Sequence, residues 1–266
     1  MIALKLVAVP VVIWLASYAG RRWGHRISGL ISGFPLIAAP IVLFLSVDAP
    51  RPFVADVAWA AMVVAPAIGL HCLVYSWLTR LRLPRGTPRH VHWAICLGSA
   101  WGTCVAAQFL LTEYMLKGWA GAALALALTL SLQWLMPRAR SAAGPPPRIP
   151  AFEIAVRMGA AVLIAAIVML GAPVFGPRVS GMLLGFPITA SVLPVFTLYL
   201  YGSDATIRLL TGFNTGLLGF VVYFFVFASL VTPLGAWPAF VAGALASVLS
   251  VGLVLAWQSW RKSIMR

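Results

Sequence analysis

The chain has 266 residues, of which 62% are apolar and only 9% charged, with 19 Lys and Arg against 5 Asp and Glu for a net charge of +14. A soluble domain carries roughly a quarter charged residues, so the composition excludes a water-soluble globular protein. The scattered acids Asp48, Asp56, Glu113, Glu153 and Asp204 argue equally against di-metal centres, glycosidase pairs and acidic proton relays.

A helix that crosses a bilayer needs about 20 apolar residues. In chain order, such runs are read at 2–20, 27–47, 54–78, 91–112, 118–137, 154–173, 179–202, 206–231 and 236–260. The expected fold is therefore an all-α polytopic membrane protein of about nine transmembrane helices. The first run ends near Ser17-Tyr18-Ala19, which resembles a signal-cleavage site. Its charges, Arg21 and Arg22, follow the apolar run rather than precede it, so retention is expected.

The basic residues fall in groups between these runs: Arg21, Arg22 and Arg26; Arg80, Arg82, Arg85 and Arg89; Arg138, Arg140 and Arg148; Arg261, Lys262 and Arg266. Short cytoplasmic loops are enriched in Lys and Arg. The bias predicts a bacterial-type inner-membrane protein with its amino terminus outside and its carboxyl terminus cytoplasmic. The same placement explains the charge without nucleic acid as a partner; the lipid bilayer is the expected one. Cys72, Cys96 and Cys104 lie in apolar runs without metal-ligand spacing, and read as small packing residues.

An internal duplication is the most informative feature. Residues 26–36 read Arg-Ile-Ser-Gly-Leu-Ile-Ser-Gly-Phe-Pro-Leu and residues 178–188 read Arg-Val-Ser-Gly-Met-Leu-Leu-Gly-Phe-Pro-Ile, an offset of 152 residues. The copies begin at the first and sixth runs, an odd number of crossings apart, so they are expected to face opposite ways. This gives a 4+1+4 plan: residues 1–117 as a first four-helix repeat, 118–152 as a connecting helix with a Pro-rich linker, and 153–266 as a second, inverted four-helix repeat. Inverted repeats recur in secondary transporters.

Within each copy, glycines four apart (Gly29 and Gly33; Gly181 and Gly185) leave one helix face bare, so another backbone can come close. Pro35 and Pro187 lack an amide hydrogen and break the helix. Carbonyls freed at such breaks survive in hydrocarbon only where protein, water or ligand satisfies them. Two readings stand: kinked packing helices joined along a glycine seam, or interrupted helices that cradle a solute. On the second, the pathway residues are Gly33, Phe34, Pro35, Gly185, Phe186, Pro187 and Thr189, joined by Asn214 from the small, polar run 211–216. Arg26 and Arg178, which open the two broken helices, are then gate or entry contacts; headgroup snorkelling is their alternative role. His71 reads as a hydrogen-bonded structural residue, or as a proton acceptor, and Gln108 and Gln133 as weaker polar candidates.

No apolar run holds an acid at its centre, and no nucleotide loop, nucleophile elbow or zinc motif is present, so neither catalytic residues nor a cofactor or metal site is expected. The segment from Ser28-Gly29-Leu30 to Gly33-Phe34-Pro35 resembles the GlpM-like small bacterial inner-membrane proteins, whose chains are about one repeat long. That resemblance implies a fused pair of such units and carries no substrate or residue roles. The sequence thus points to a small-solute transporter working by alternating access. Its alternative is a non-transporting membrane subunit or assembly partner of an envelope complex, docked as a homodimer or to another membrane protein through glycine seams.

Overall fold

A computed structural model describes residues 24–81, 84, 88–140 and 151–264. The expected first span (2–20), Arg21, Arg22, Arg82, Arg85, Arg148 and the linker prolines 145–147 lie outside the described residues. The described residues form helices and connecting turns, without a strand. In order the helices are α1 (Gly24–Gly33), α2 (Ala38–Asp48), α3 (Arg51–Val63), α4 (Ala65–Leu78), α5 (Arg89–Glu113), α6 (Gly118–Leu135), α7 (Ala151–Leu184), α8 (Ile188–Leu234) and α9 (Ala236–Ile264).

Six stretches are long and apolar enough to cross a membrane: Gly24–Asp48, Arg51–Leu78, His90–Glu113, Gly118–Leu135, Leu170–Leu234 and Ala236–Trp257. The chain is therefore compatible with an integral membrane protein. A straight helix as long as Leu170–Leu234 would reach about 100 Å, over three times a bilayer core. It does not run straight. Gly176 (φ 73°) and Gly202 (φ 77°) interrupt α7 and α8 in the left-handed region, and non-helical Pro187 separates the two helices. Gly24 (φ 80°) stands 152 residues before Gly176, so the duplication extends to backbone conformation at the mouth of each broken helix.

The run read as one span at 54–78 is divided at Val64, between α3 and α4. Pro66 lies at the start of α4 and has no amide hydrogen for the Met62 carbonyl, which is enough to bend the helix there. Burial concentrates in the Arg51–Leu78 stretch and in the part of α8 after Gly202, which are equivalent under the 152-residue offset. Around them the outward faces stay apolar, with Trp119, Trp134, Trp237 and Trp257 all exposed. This is the pattern of a bundle whose outer surface meets lipid rather than water.

The two ends of the bundle can be told apart by their contacts. At one end the His25 ring meets Tyr201 at 4.9 Å, Ser203 donates to the Thr79 carbonyl (2.7 Å), and the Arg140 amide donates to Asp204 (3.1 Å). At the other, Arg178 pairs with Glu113 (2.6 Å), Lys117 pairs with Asp56 (2.6 Å), and Arg51 donates to the Thr232 carbonyl (3.3 Å). Arg51 and Thr79 are separated by about 40 Å of helix. His25 and Arg178, each at the head of a broken helix, therefore stand at opposite ends.

Candidate functional site

Each copy of Gly-Phe-Pro ends one helix and starts another. The Phe34 amide donates to Ile31 O (3.3 Å), the Leu36 amide to Phe34 O (2.8 Å), and the Ala39 amide to Pro35 O (2.8 Å). In the second copy the Phe186 amide donates to Leu183 O (3.1 Å) and the Ile188 amide to Phe186 O (2.8 Å). Both prolines thus sit at the centre of a three-residue turn; Pro187, at φ −79° and ψ 56°, has the inverse γ-turn geometry.

Glycine determines how the broken helices pack. A Cβ added at Gly29 would collide with the Leu209 carbonyl and lie 2.9 Å from the Phe213 amide nitrogen. A Cβ added at Gly181 would meet the Val57 carbonyl at 2.7 Å and the Ala61 amide nitrogen at 2.9 Å. Val57 and Ala61 are the 152-residue counterparts of Leu209 and Phe213, and the same backbone atoms are met. One turn on, Gly33 abuts Phe213 and Gly216, while Gly185 abuts Val64, the counterpart of Gly216. Each broken helix leans on the other copy's buried helix, the reciprocal relation of a two-fold contact.

Where the two breaks meet, a cavity opens, lined by residues 32–38 and 183–184, by residues 186–189, and by Ile41, Ile68, Phe213, Leu217 and Phe220. It offers about 60 Å³ to the centres of water-sized spheres. One water needs roughly 10–15 Å³ on that measure, so several waters or a solute of a few heavy atoms fit. Among the expected pathway residues, Gly33, Phe34, Pro35, Phe186, Pro187 and Thr189 line it.

The others lie elsewhere. Gly185 stands behind the wall, where its carbonyl accepts from Gln108 Nε2 (3.0 Å). Asn214 is fully buried on the far side of α8 and donates to Gln133 Oε1 (2.9 Å), while its own Oδ1 packs beside Gly69. Arg26 is exposed at one end, and Arg178 is held by Glu113 and the Phe109 carbonyl at the other.

Other residues support the second break; His71 takes the hydrogen-bonded structural role read from sequence, while Trp101 carried no signal there. His71 is completely buried and donates from Nε2 to the Ala190 carbonyl (3.0 Å), which leaves Nδ1 as an acceptor. Trp101 donates to Ser191 Oγ (2.8 Å), and Ser191 in turn donates to the Pro187 carbonyl (2.6 Å). Gln108, His71 and Trp101 thus tie down the second break from α4 and α5. Their counterparts under the 152-residue offset, Trp260, Tyr223 and Leu253, are different residues. Ser32 also lines the cavity; it is the polar exception to an otherwise matched motif, and that mismatch was the available clue.

Among the described residues no cluster of three or more His, Cys, Asp or Glu could hold a metal ion. The chain matches no family model, and no curated protein or solved structure is detectably similar to it.

Proposed function

We propose that this chain is a small-solute transporter of a bacterial-type inner membrane. It has nine spans in a 4+1+4 inverted arrangement, its amino terminus lies outside, and the two Gly-Phe-Pro breaks form its solute site. The observation that carries this reading is the cavity at the junction of the two breaks. Its position is what matters, because mid-bilayer helix breaks that line a cavity are how membrane carriers expose backbone polar groups to a ligand. The reciprocal glycine contacts supply the mechanics. A small-residue seam lets one copy's broken helix slide or rock against the other copy's buried helix, opening the cavity first to one side and then to the other.

Purified protein in liposomes tests the reading through osmotic swelling with small solutes. Wild-type vesicles should swell faster than empty ones, and Ser32→Trp, which places a large ring in the cavity, should remove the difference while the protein still runs as a single species on a sizing column. Equal rates for wild-type and empty vesicles would contradict it.

A second reading, the non-transporting membrane subunit, has one observation in its favour. Gly98 and Gly102 form an open, exposed seam on α5 with nothing close enough to touch an added Cβ. A stoichiometric partner retained through mild-detergent purification would favour that reading.

A further inference from the structure

The cavity's walls say what kind of solute it takes, given that it is a solute site. No Asp, Glu, Lys, Arg or His lines it. Its side chains are aliphatic groups and the rings of Phe34, Phe186, Phe213 and Phe220, with the hydroxyls of Ser32 and Thr189 as the polar exceptions. An ion stripped of water here would meet no countercharge, which is costly at membrane depth.

Backbone carbonyls could in principle replace side-chain anions around a cation. Four of those at the breaks already accept from the protein's own donors. Phe34 O accepts from Leu36 N, Pro35 O from Ala39 N, Gly185 O from Gln108, and Pro187 O from Ser191. The first turns of α2 and α8 begin at the cavity and bring partial positive charge there, but no Lys, Arg or His side chain stands with them to complete a site for a full anion.

We infer that the solute accepted by this cavity is small and uncharged, with a hydroxyl or amide group for Ser32 and Thr189 to meet. The inference rests on the transporter reading above. The duplication itself supplies a clean pair of variants. Leu184 stands at the position equivalent to Ser32, and Ile37 at the position equivalent to Thr189. Ser32→Leu and Thr189→Ile therefore give each copy the residue its partner already carries.

The test is solute entry into proteoliposomes, using near-isosteric pairs that differ in charge: urea against guanidinium, and glycerol against glycerate. After subtraction of the empty-vesicle rate, urea and glycerol should enter faster than their charged counterparts by roughly tenfold or more. The Ser32→Leu/Thr189→Ile double variant should lose most of the glycerol rate while keeping the wild-type elution profile. Faster entry of guanidinium or glycerate would overturn the inference and leave the pathway standing. Unchanged glycerol entry in the double variant would overturn the role of the two hydroxyls. No probe exceeding the empty-vesicle rate would overturn the transporter reading itself.

Discussion

Gly29 lies so close to Leu209 that one added methyl group would overlap the Leu209 carbonyl oxygen. That carbonyl belongs to a helix backbone and cannot move aside as a side chain would. Gly29→Ala and Gly181→Ala should each destabilise the protein by about 1–3 kcal/mol, the usual cost of overpacking. Gly98→Ala and Gly102→Ala provide the control, because an added Cβ there meets nothing. In a helix those changes should be neutral or stabilising by up to about 1 kcal/mol. Thermal unfolding in detergent should separate the two pairs; indistinguishable shifts would remove the seam from the account.

The bonds behind the second break yield a different expectation. Gln108→Leu keeps the size of the side chain but leaves the buried Gly185 carbonyl without its donor. Hydrogen bonds of this kind between membrane helices average about 0.6 kcal/mol and reach about 1.7. A loss in that range, measured by denaturant titration, is expected for Gln108→Leu. Leu110→Ala, on the exposed face of the same helix, should cost less, since little packs against it. A Gln108→Leu variant as stable as wild type would mean that this bond does not hold the break.

The exposed ion pair Lys117–Asp56 should matter little. Both side chains are substantially solvent-accessible, at 49% and 40%. Exposed pairs contribute about 0–1 kcal/mol and weaken with salt. Asp56→Asn should therefore shift the melting midpoint slightly at low ionic strength and not at high. A large, salt-independent loss would show that the pair is less exposed in the membrane than its geometry suggests.

The helical, membrane-type character and most helix positions were legible because a bilayer imposes a length of apolar sequence that composition reveals directly. The breaks at Pro35 and Pro187 were legible for a similar reason: a proline inside such a run removes a hydrogen bond that nothing local can replace. The division at Val64 was missed although Pro66 carried the same signal, because the run 54–78 stays apolar straight through it. The pairing of Gly29 with Leu209 had no sequence signature. Close backbone approach is marked on the glycine side, at Gly212 and Gly216 as well as Gly29, while an ordinary Leu carbonyl opposite carries no mark. Gln108 read as one weak polar residue among several, since nothing in its neighbourhood names a carbonyl 77 positions away. Asn214 drew attention for its polar setting, and that setting proves to be a contact with Gln133 behind the cavity wall.

Orientation can be read with single added cysteines, because the native Cys72, Cys96 and Cys104 are buried and free. Arg26 and Arg178 are equivalent in the duplication and stand at opposite ends of the bundle. In intact cells, a membrane-impermeant maleimide should label Arg178→Cys from outside. Arg26→Cys should react only after the membrane is opened. Labelling of both from the same side would contradict an inverted pair of repeats.

The most direct measurement asks whether the junction of the two breaks is the route of the solute. Ser32→Cys and Thr189→Cys place one thiol on each side of the cavity, and methyl methanethiosulfonate is a small, uncharged reagent able to reach them. Both thiols should react in the folded, reconstituted protein, and urea entry should fall toward the empty-vesicle rate once they have. Thiols that stay unreactive, or urea entry untouched after complete reaction, would mean that the void between Pro35 and Pro187 conducts nothing.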